Sequence, residues 1–169
     1  MHKNIFITVL FLVLIISCGK QNKQSKLEKI YTKNISSFIE ICWNEKDFAP
    51  LNKIIDNDYS RTVNNVTIVE NLNELEANMK VLFIGFPDLF VKINEITFNE
   101  NQAYFHWVFT GTNTGVFGEI PATGKKVIVK GFTIIHFNKK GLIFHEDVHY
   151  NELDLLQQLG YTLNPPNVE

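Results

Sequence analysis

Hydrophobic positions in the first part of the chain follow helical spacing. Beginning at Leu27, apolar side chains recur three or four positions apart, as on one face of an α-helix. These positions are Ile30, Tyr31, Ile35, Phe38, Ile41, Cys42 and Trp43. The pattern predicts a long first helix that ends at about Asn44.

Two further helices are predicted before the pattern changes. Asp47 can cap a short second helix, which should stop at residues 56–58. A third helix should begin at Asn71, because Glu74 follows three residues later as in a capping box. Residues 85–87, which include glycine and proline, should end it.

After Pro87 the hydrophobic pattern has a period of two, which is typical of β-strands. The predicted strands cover residues 90–98, 102–110, 126–137 and 142–150. Neighbours joined by short turns should be antiparallel. A last helix is predicted over residues 152–159, with Gly160 after its end. Helices that precede such a sheet indicate an α+β fold.

The start of the chain has the layout of an export signal. Residues 1–4 are basic, residues 5–16 are almost entirely apolar, and the apolar run ends abruptly before Cys18. Residues 15–18 resemble the bacterial lipoprotein box, whose cysteine receives diacylglycerol and becomes the new N-terminus. We therefore expect a signal peptide over residues 1–17. The mature chain would be a membrane-anchored lipoprotein of the bacterial cell envelope, periplasmic or surface-facing, and an uncleaved membrane anchor is the alternative.

Composition suggests how the rest of the chain is divided. Residues 18–26 form a polar, lipidated tether, residues 27–163 form one domain, and residues 164–169 form a tail. The net charge of −2 is distributed without a basic block, so no nucleic-acid partner is expected. With Cys18 lipidated, only Cys42 remains and no internal disulfide is expected. Its place on an apolar stripe favours a small buried side chain over a nucleophile.

The connection between the second and third predicted strands carries the most distinctive motif. It reads FTGTNTGVFGEIPATGKKV over residues 109–127, and its glycines and proline suit a bent connection in a curled sheet. Four other segments accompany it: Cys42-Trp43-Asn44, Asp58-Tyr59, Phe86-Pro87-Asp88-Leu89 and Gln157-Gln158-Leu159-Gly160. Together they resemble SnoaL-like polyketide cyclases and related ester cyclases over most of the chain.

This resemblance implies the cone-shaped fold of nuclear-transport-factor-2-like proteins. In that fold a curved antiparallel sheet wraps around helices and leaves a cavity open at one end. The resemblance also implies a small, mostly apolar ligand, no metal or cofactor and, as in many such domains, a homodimer. In the family's cyclases an aspartate near the end of the last strand acts as acid and base on a polyketide ester, during an intramolecular aldol ring closure.

The acidic residues that the resemblance implies are absent from their expected positions. Counting from Gly141 in the hairpin, Val148 occupies the place of the aspartate and Asn151 that of a second common acid. Asn113 and Thr62 stand where the family often has histidine. These departures favour a binding or accessory protein that retains the cavity. A cofactor-independent cyclase or isomerase that uses another cavity carboxylate is the alternative.

Glu146 is the first candidate for that carboxylate. If residues 138–141 form the hairpin turn, Thr133 lies opposite Glu146 on an apolar interior face. That face comprises Val129, Thr133, Ile135, Phe137, Leu142, Phe144, Glu146, Val148 and Tyr150. We expect Glu146 to be a catalytic acid or base with Tyr150 as a hydrogen-bond partner, although at an open rim it would only be solvated. A bulge near Glu146 would instead turn Asp147 inward as the catalytic acid.

Strand alternation also predicts which side chains contact the ligand. Phe105, Trp107 and Phe109 should form core or cavity wall, whereas His106 should face outward. The predicted ligand-binding residues are Trp107, Asn113, Phe144, Val148 and Tyr150.

The opposite face of the last strand carries His145, Asp147 and His149, with His136 on the neighbouring strand. Imidazole and carboxylate groups both suit zinc or iron, so a metal site is one alternative. Half-solvated outer faces often collect such residues, however, and the family resemblance implies no metal. The expectation is therefore that no metal binds.

Overall fold

The computed structural model describes residues 24–165, which contain four helices and seven strands. Helix α1 is α-helical over residues 24–36 and continues as a π-helix over Ser37–Asn44. The other helices are α2 (Leu51–Ile54), α3 (Leu72–Gly85) and α4 (Glu152–Leu159). The strands are β1 (Ile55–Val63), β2 (Val66–Val69), β3 (Phe90–Ile93), β4 (Thr97–Asn99), β5 (Gln102–Thr112), β6 (Lys126–Phe137) and β7 (Ile143–Tyr150).

The strands form a single sheet in the order β2-β1-β7-β6-β5-β3, with β4 also paired to β5. The α+β class and the cone-shaped architecture predicted above are confirmed. One detail of the prediction was wrong, because the sheet is mixed: β1 runs parallel to β7. The predictions for residues 1–23, including the signal peptide and Cys18, concern a segment outside the described residues. Residues 24–26 of the expected tether are helical.

Strands β1 and β2 were missed by the sequence prediction. The second predicted helix ends at Ile54, and the chain then extends through the polar run that we expected to be a helix stop. Tyr59 on β1 is fully buried, whereas the neighbouring Asp58 is exposed. Asp and Asn are depleted in strands, so their presence concealed β1, a strand that pairing with β2 and β7 stabilises.

The helices close one face of the curved sheet. Tyr31 of α1 stacks on Phe137 of β6, with ring centroids 4.0 Å apart. At the other end of α1, the Trp43 ring meets Phe83 of α3 edge-on at 5.9 Å. Helix α4 packs against β6. Gly160 ends this helix in the left-handed conformation, with φ 105°. No helix among the described residues is both long and apolar enough to cross a membrane.

The glycine-rich connection is anchored to the C-terminal end of α3. Asn113 is completely buried, and its side-chain amide donates to the carbonyl oxygens of Gly85 (3.1 Å) and Gly115 (2.8 Å). Its side-chain oxygen accepts from the backbone N–H of Thr123 at 2.9 Å. A Cβ on Gly115 would lie 2.0 Å from the carbonyl oxygen of Ile84, so only glycine permits this close approach.

Candidate functional site

The concave side of the sheet and the helices above it enclose a cavity of about 170 Å³. Its walls are mostly apolar and come from α1, α3, α4 and all strands except β4. Two partly exposed side chains, Ile68 on β2 and Val81 on α3, also line it. The cavity therefore opens to solvent between β2 and α3.

Glu146 is the acidic residue of the cavity lining, and only 3% of its surface is exposed. The hydroxyl of Tyr59 donates a hydrogen bond to Glu146 Oε2. Arg61 Nε lies 3.7 Å from the same oxygen. The parallel pairing of β1 with β7 causes this arrangement, because Arg61 lies directly beside Glu146 and Tyr59 is two residues earlier on the same face.

Both contacts use Oε2 of Glu146. Among the described residues no hydrogen bond reaches Oε1, so that oxygen is the one available to a ligand in the cavity. Burial raises the pKa of Tyr59 well above its usual value, and the neighbouring Glu146 charge raises it further against the opposing effect of Arg61. Tyr59 is therefore a neutral phenol that donates a hydrogen bond to the carboxylate.

Arg61 brings a second polar group into the cavity. Its guanidinium carbon lies 5.2 Å from the centre of the Trp43 ring, close enough for a cation–π interaction. Nε and Nη1 are both buried and have no hydrogen-bond acceptor among the described residues. A buried donor without an acceptor costs about 1–3 kcal/mol, and more when it is charged. These N–H groups are therefore suited to an oxygen acceptor that enters the cavity.

An aromatic wall faces this polar group. Trp107 Nε1 donates to Thr133 Oγ1 at 2.9 Å, and the Trp107 ring lies 6.0 Å from that of Tyr150. Burial is the main cause of the raised pKa of Tyr150, with Glu152 adding to it and Arg61 opposing it. Gly131 lies directly opposite Trp107, and a Cβ there would be 2.1 Å from the indole. Glycine on β6 is what allows this indole to lie across the sheet.

The structure corrects the predicted register of the β6–β7 hairpin. Ile135, rather than Thr133, lies opposite Glu146, and Phe137 lies opposite Ile143. The pairing shifts between His136 and Phe137, which leaves Phe144 as a bulged residue. A bulge near Glu146, the alternative considered from the sequence, is therefore present, but it precedes His145, and Glu146 faces inward.

Two of the predicted site residues on β7 consequently lie on the other face of the sheet. The ring of Phe144 lies edge-on to that of His136, with the ring centroids 6.0 Å apart, and Phe144 is not among the cavity-lining residues. Asp147 accepts a hydrogen bond from Thr62 at 2.8 Å, outside the cavity. The expectation that a bulge would turn Asp147 inward is wrong, because the hairpin turn also shifts the register by one residue. The two shifts together leave Glu146 on the inner face and Asp147 on the outer face.

The remaining predicted residues divide into two groups. Trp107, Val148 and Tyr150 line the cavity, and Val148 is 2% exposed at the position where the family resemblance implies an aspartate. Asn113 is not among the lining residues and instead holds the glycine-rich connection in place. Cys42 is buried and its pKa is raised to about 12, mainly by burial.

Sequence reasoning missed Tyr59 and Arg61 as partners of Glu146. A signal was present, because Tyr59, Arg61 and Val63 alternate with the hydrogen-bonding residues Ser60 and Thr62. That alternation is typical of a strand with one buried face. The preceding acidic and amide residues led us to expect a loop there instead.

The cavity, the curved sheet and the buried polar group define an α+β cone with an internal, mostly apolar cavity. A family model described as SnoaL-like polyketide cyclase matches residues 33–159, and the chain belongs to this family. No curated protein matches the chain.

Solved structures with the same fold are only distantly related in sequence. A protein from Jannaschia assigned as a SnoaL-like polyketide cyclase is 19% identical, with a TM-score of 0.71 over 82% of this chain and 94% of that one. AclR from Streptomyces galilaeus, assigned as a hydroxylase, is 19% identical, with a TM-score of 0.67 over 85% of this chain and 87% of AclR. A SnoaL-like polyketide cyclase from Agrobacterium tumefaciens is 19% identical, with a TM-score of 0.60 over 79% of this chain and 98% of that one. At these identities the likeness shows the fold alone, because one fold carries several kinds of chemistry.

Proposed function

We propose that this protein binds a small, mostly apolar molecule that carries a carbonyl or carboxylate oxygen. The observation that carries the proposal is Arg61, whose buried Nε and Nη1 have no acceptor among the described residues while the walls around them are apolar and aromatic. Apolar walls supply affinity through burial, and a few placed polar groups orient the ligand. Arg61 is the group that would hold the ligand's oxygen.

The size of the cavity limits the ligand. A cavity of about 150 Å³ accommodates benzene in another protein, and the cavity here is about 170 Å³. A single substituted ring therefore fits without rearrangement. Because Ile68 and Val81 are partly exposed at the rim, a longer apolar substituent can extend between β2 and α3.

Three probes that share one ring and differ in their oxygen atoms test this proposal: toluene, acetophenone and benzoate. Binding can be followed by the fluorescence of Trp43 and Trp107, which both line the cavity. We expect acetophenone and benzoate to bind about tenfold or more tightly than toluene, because hydrogen bonds to charged groups contribute about 1.5–3 kcal/mol.

The matched variants are Arg61→Gln and Lys130→Gln, since Lys130 is exposed on β6 and outside the cavity lining. Arg61→Gln should remove the preference for oxygen-bearing probes, and Lys130→Gln should keep it. The proposal fails if no probe binds the folded protein, or if Arg61→Gln retains the wild-type preference.

A cofactor-independent isomerase or cyclase is the second candidate, and the available Oε1 of Glu146 favours it. In that reaction Oε1 takes a proton from the carbon next to the ligand's carbonyl group, and the electron pair of the C–H bond moves onto the carbonyl oxygen. Arg61 N–H groups stabilise the resulting enolate charge. Glu146 then returns the proton to another carbon. In the cyclase case the enolate carbon instead attacks a second carbonyl group to form a ring, and Glu146 returns the proton to the alkoxide oxygen that results.

Deuterium exchange separates the two candidates. In D₂O, an enzyme of this kind should speed the exchange of the methyl protons of bound acetophenone, as measured by proton NMR. Glu146→Gln should lose a factor of about 10² or more, as is typical when a general base is removed, while acetophenone still binds. Binding without accelerated exchange in the wild-type protein would show a binding role and exclude this proton transfer for the probe.

We further propose that the domain is exported and lipid-anchored through Cys18, on the strength of the lipoprotein-like residues 15–18. Expression of the full chain in a bacterial host with radiolabelled fatty acid tests this proposal. The wild-type chain should be labelled and found in the membrane fraction, and Cys18→Ser should be unlabelled. Equal labelling of the two chains would exclude Cys18 as the attachment site.

A further inference from the structure

Three side chains with metal-binding atoms converge on the outer face of the sheet, on the opposite side from the cavity. His136 Nε2 lies 3.0 Å from Asp147 Oδ2, and His145 Nε2 lies 3.0 Å from Asp147 Oδ1. One ligand atom from each residue can be chosen so that all three lie within 4.8 Å of one another. These three residues, His136, His145 and Asp147, are called the outer cluster below.

The spacing within the outer cluster is close to that of a tetrahedral metal site. Bond lengths of about 2.0–2.2 Å to zinc place neighbouring ligand atoms about 3.3 Å apart. The two imidazole-to-carboxylate distances of 3.0 Å are slightly shorter than this separation. Small side-chain rotations would therefore convert the hydrogen-bonded cluster into three ligands of one ion.

Each histidine is oriented through its other ring nitrogen. His145 Nδ1 lies 2.7 Å from Ser60 Oγ on β1, and His136 Nδ1 lies 3.1 Å from the side-chain amide of Gln102 on β5. The contact with Ser60 suits a ligating histidine, because Nδ1–H of His145 can donate to the hydroxyl oxygen and leave Nε2 free for a metal. The Gln102 atom beside His136 is the amide nitrogen, a donor, so ligation through Nε2 requires this amide to turn its oxygen towards Nδ1. Neighbouring side chains thus point both Nε2 atoms towards Asp147.

The backbone under the outer cluster is well supported. His136 and His145 lie directly opposite each other on β6 and β7, which are interior strands of the sheet. The bulge at Phe144 brings about this pairing, and the regular alternation of β7 after it places His145 and Asp147 on the same face. Side-chain exposures of 20–26% leave one side open to solvent, where a fourth ligand can bind.

The charge of the outer cluster also suits a divalent cation. Asp147 is the acidic member of the outer cluster, and its two carboxylate oxygens each face one histidine Nε2 at 3.0 Å. Two neutral imidazoles and one carboxylate form a donor set that zinc and related first-row transition metals prefer over calcium or magnesium.

We propose that His136, His145 and Asp147 bind one divalent transition-metal ion, with zinc as the ion that best fits the donor set. The bound ion would link β6 to β7 and, through Ser60 and Thr62, to β1. Glu146 points into the cavity from the opposite face of β7, so the metal site is separate from the ligand cavity. His149, which the sequence also suggested as a ligand, is not in the cluster.

Titration of the metal-free full chain with zinc, followed by calorimetry, is the direct test. The wild-type protein should bind one zinc ion per chain, and the ion should raise its thermal midpoint. Cobalt should compete with zinc and give the visible absorption bands of a nitrogen- and oxygen-liganded tetrahedral ion. These two measurements need no variant, so they remain informative if a substitution prevents folding.

Variants then locate the site. His136→Gln, His145→Gln and Asp147→Asn should each abolish binding, whereas His106→Gln and His149→Gln should retain it, since neither residue belongs to the outer cluster. Ser60→Ala should weaken affinity about 10–100-fold, as is typical when the partner of a ligating histidine is removed. Circular dichroism checks that each variant is folded.

Two results would overturn the proposal. One is a wild-type protein whose thermal midpoint and calorimetric trace do not respond to zinc. The other is unchanged binding in folded His136→Gln and Asp147→Asn, which would place the ion elsewhere. In either case the outer cluster is only a hydrogen-bonded network that joins three strands.

Discussion

Arg61 and Glu146 lie side by side on parallel strands β1 and β7, with Nε 3.7 Å from Oε2 inside an apolar cavity. The side chains are 12% and 4% exposed, so both charges are largely removed from water. Their mutual attraction and the hydrogen bond from Tyr59 offset part of that cost. This pair joins two strands that are far apart in the sequence, β1 and β7, at the candidate site.

Arg61→Leu should lower the free energy of unfolding by about 3–5 kcal/mol, because it leaves the buried carboxylate of Glu146 without a charged partner. The double variant Arg61→Leu with Glu146→Leu should recover much of that loss, since no buried charge remains. Urea denaturation of the wild type, both single variants and the double variant measures the coupling. Strictly additive effects would show that the two groups do not interact.

Gly131→Ala should lower the free energy of unfolding by about 1–3 kcal/mol, because overpacking forces neighbouring side chains out of place. The new Cβ would lie 2.1 Å from Trp107, so the indole must move. We expect a shift in tryptophan fluorescence together with the lower stability. Adding Trp107→Leu should relieve part of the loss, and Lys130→Ala on the same strand is the control. No change in either observable would rule out this close contact.

Asn113→Ala should lower the free energy of unfolding by about 1–3 kcal/mol, because it removes the hydrogen bonds that a completely buried side chain makes to the backbone. The groups affected are the carbonyl oxygen of Gly85 and the N–H of Thr123, which bind the Asn113 side chain at 3.1 and 2.9 Å. Asn94→Ala, at an exposed position, should be nearly neutral. Hydrogen exchange of the connecting segment should rise only in the first variant, and unchanged protection there would contradict the anchoring role.

The buried thiol of Cys42 should make stability depend on pH. Its pKa rises from 9.0 to about 12 on folding, so the unfolded chain loses its proton at lower pH than the folded chain does. The resulting stabilisation is complete below pH 9 and is lost as the pH rises towards 12.

Urea denaturation at several alkaline pH values measures this dependence, with Cys42→Ala as the matched variant. The wild-type protein should lose stability more steeply than Cys42→Ala over that pH range. In a Cys18→Ser background, Cys42 should also resist thiol reagents until the protein unfolds. Rapid labelling of the folded chain would show that the thiol is accessible.

Much of the fold follows from local patterns. The bounds of β6 and α4 match the predicted ranges, because strict alternation and a glycine stop are short-range signals. The capping of α3 by Asn71 is equally local, since its side chain accepts from Glu74 N–H at 3.0 Å. These features depend on residues that are close together in the sequence.

The amino-acid pattern was sufficient to identify the α+β class, the family resemblance and Glu146 as the acidic residue worth inspecting. Only the tertiary structure decided what surrounds that residue. Tyr59 and Arg61 are more than 80 positions from Glu146 in the chain, and they reach it through a parallel strand pair that no local signal specifies. A single bulged residue, Phe144, likewise set which side chains of β7 face the cavity and which face outward, because one extra residue in a strand reverses the alternation.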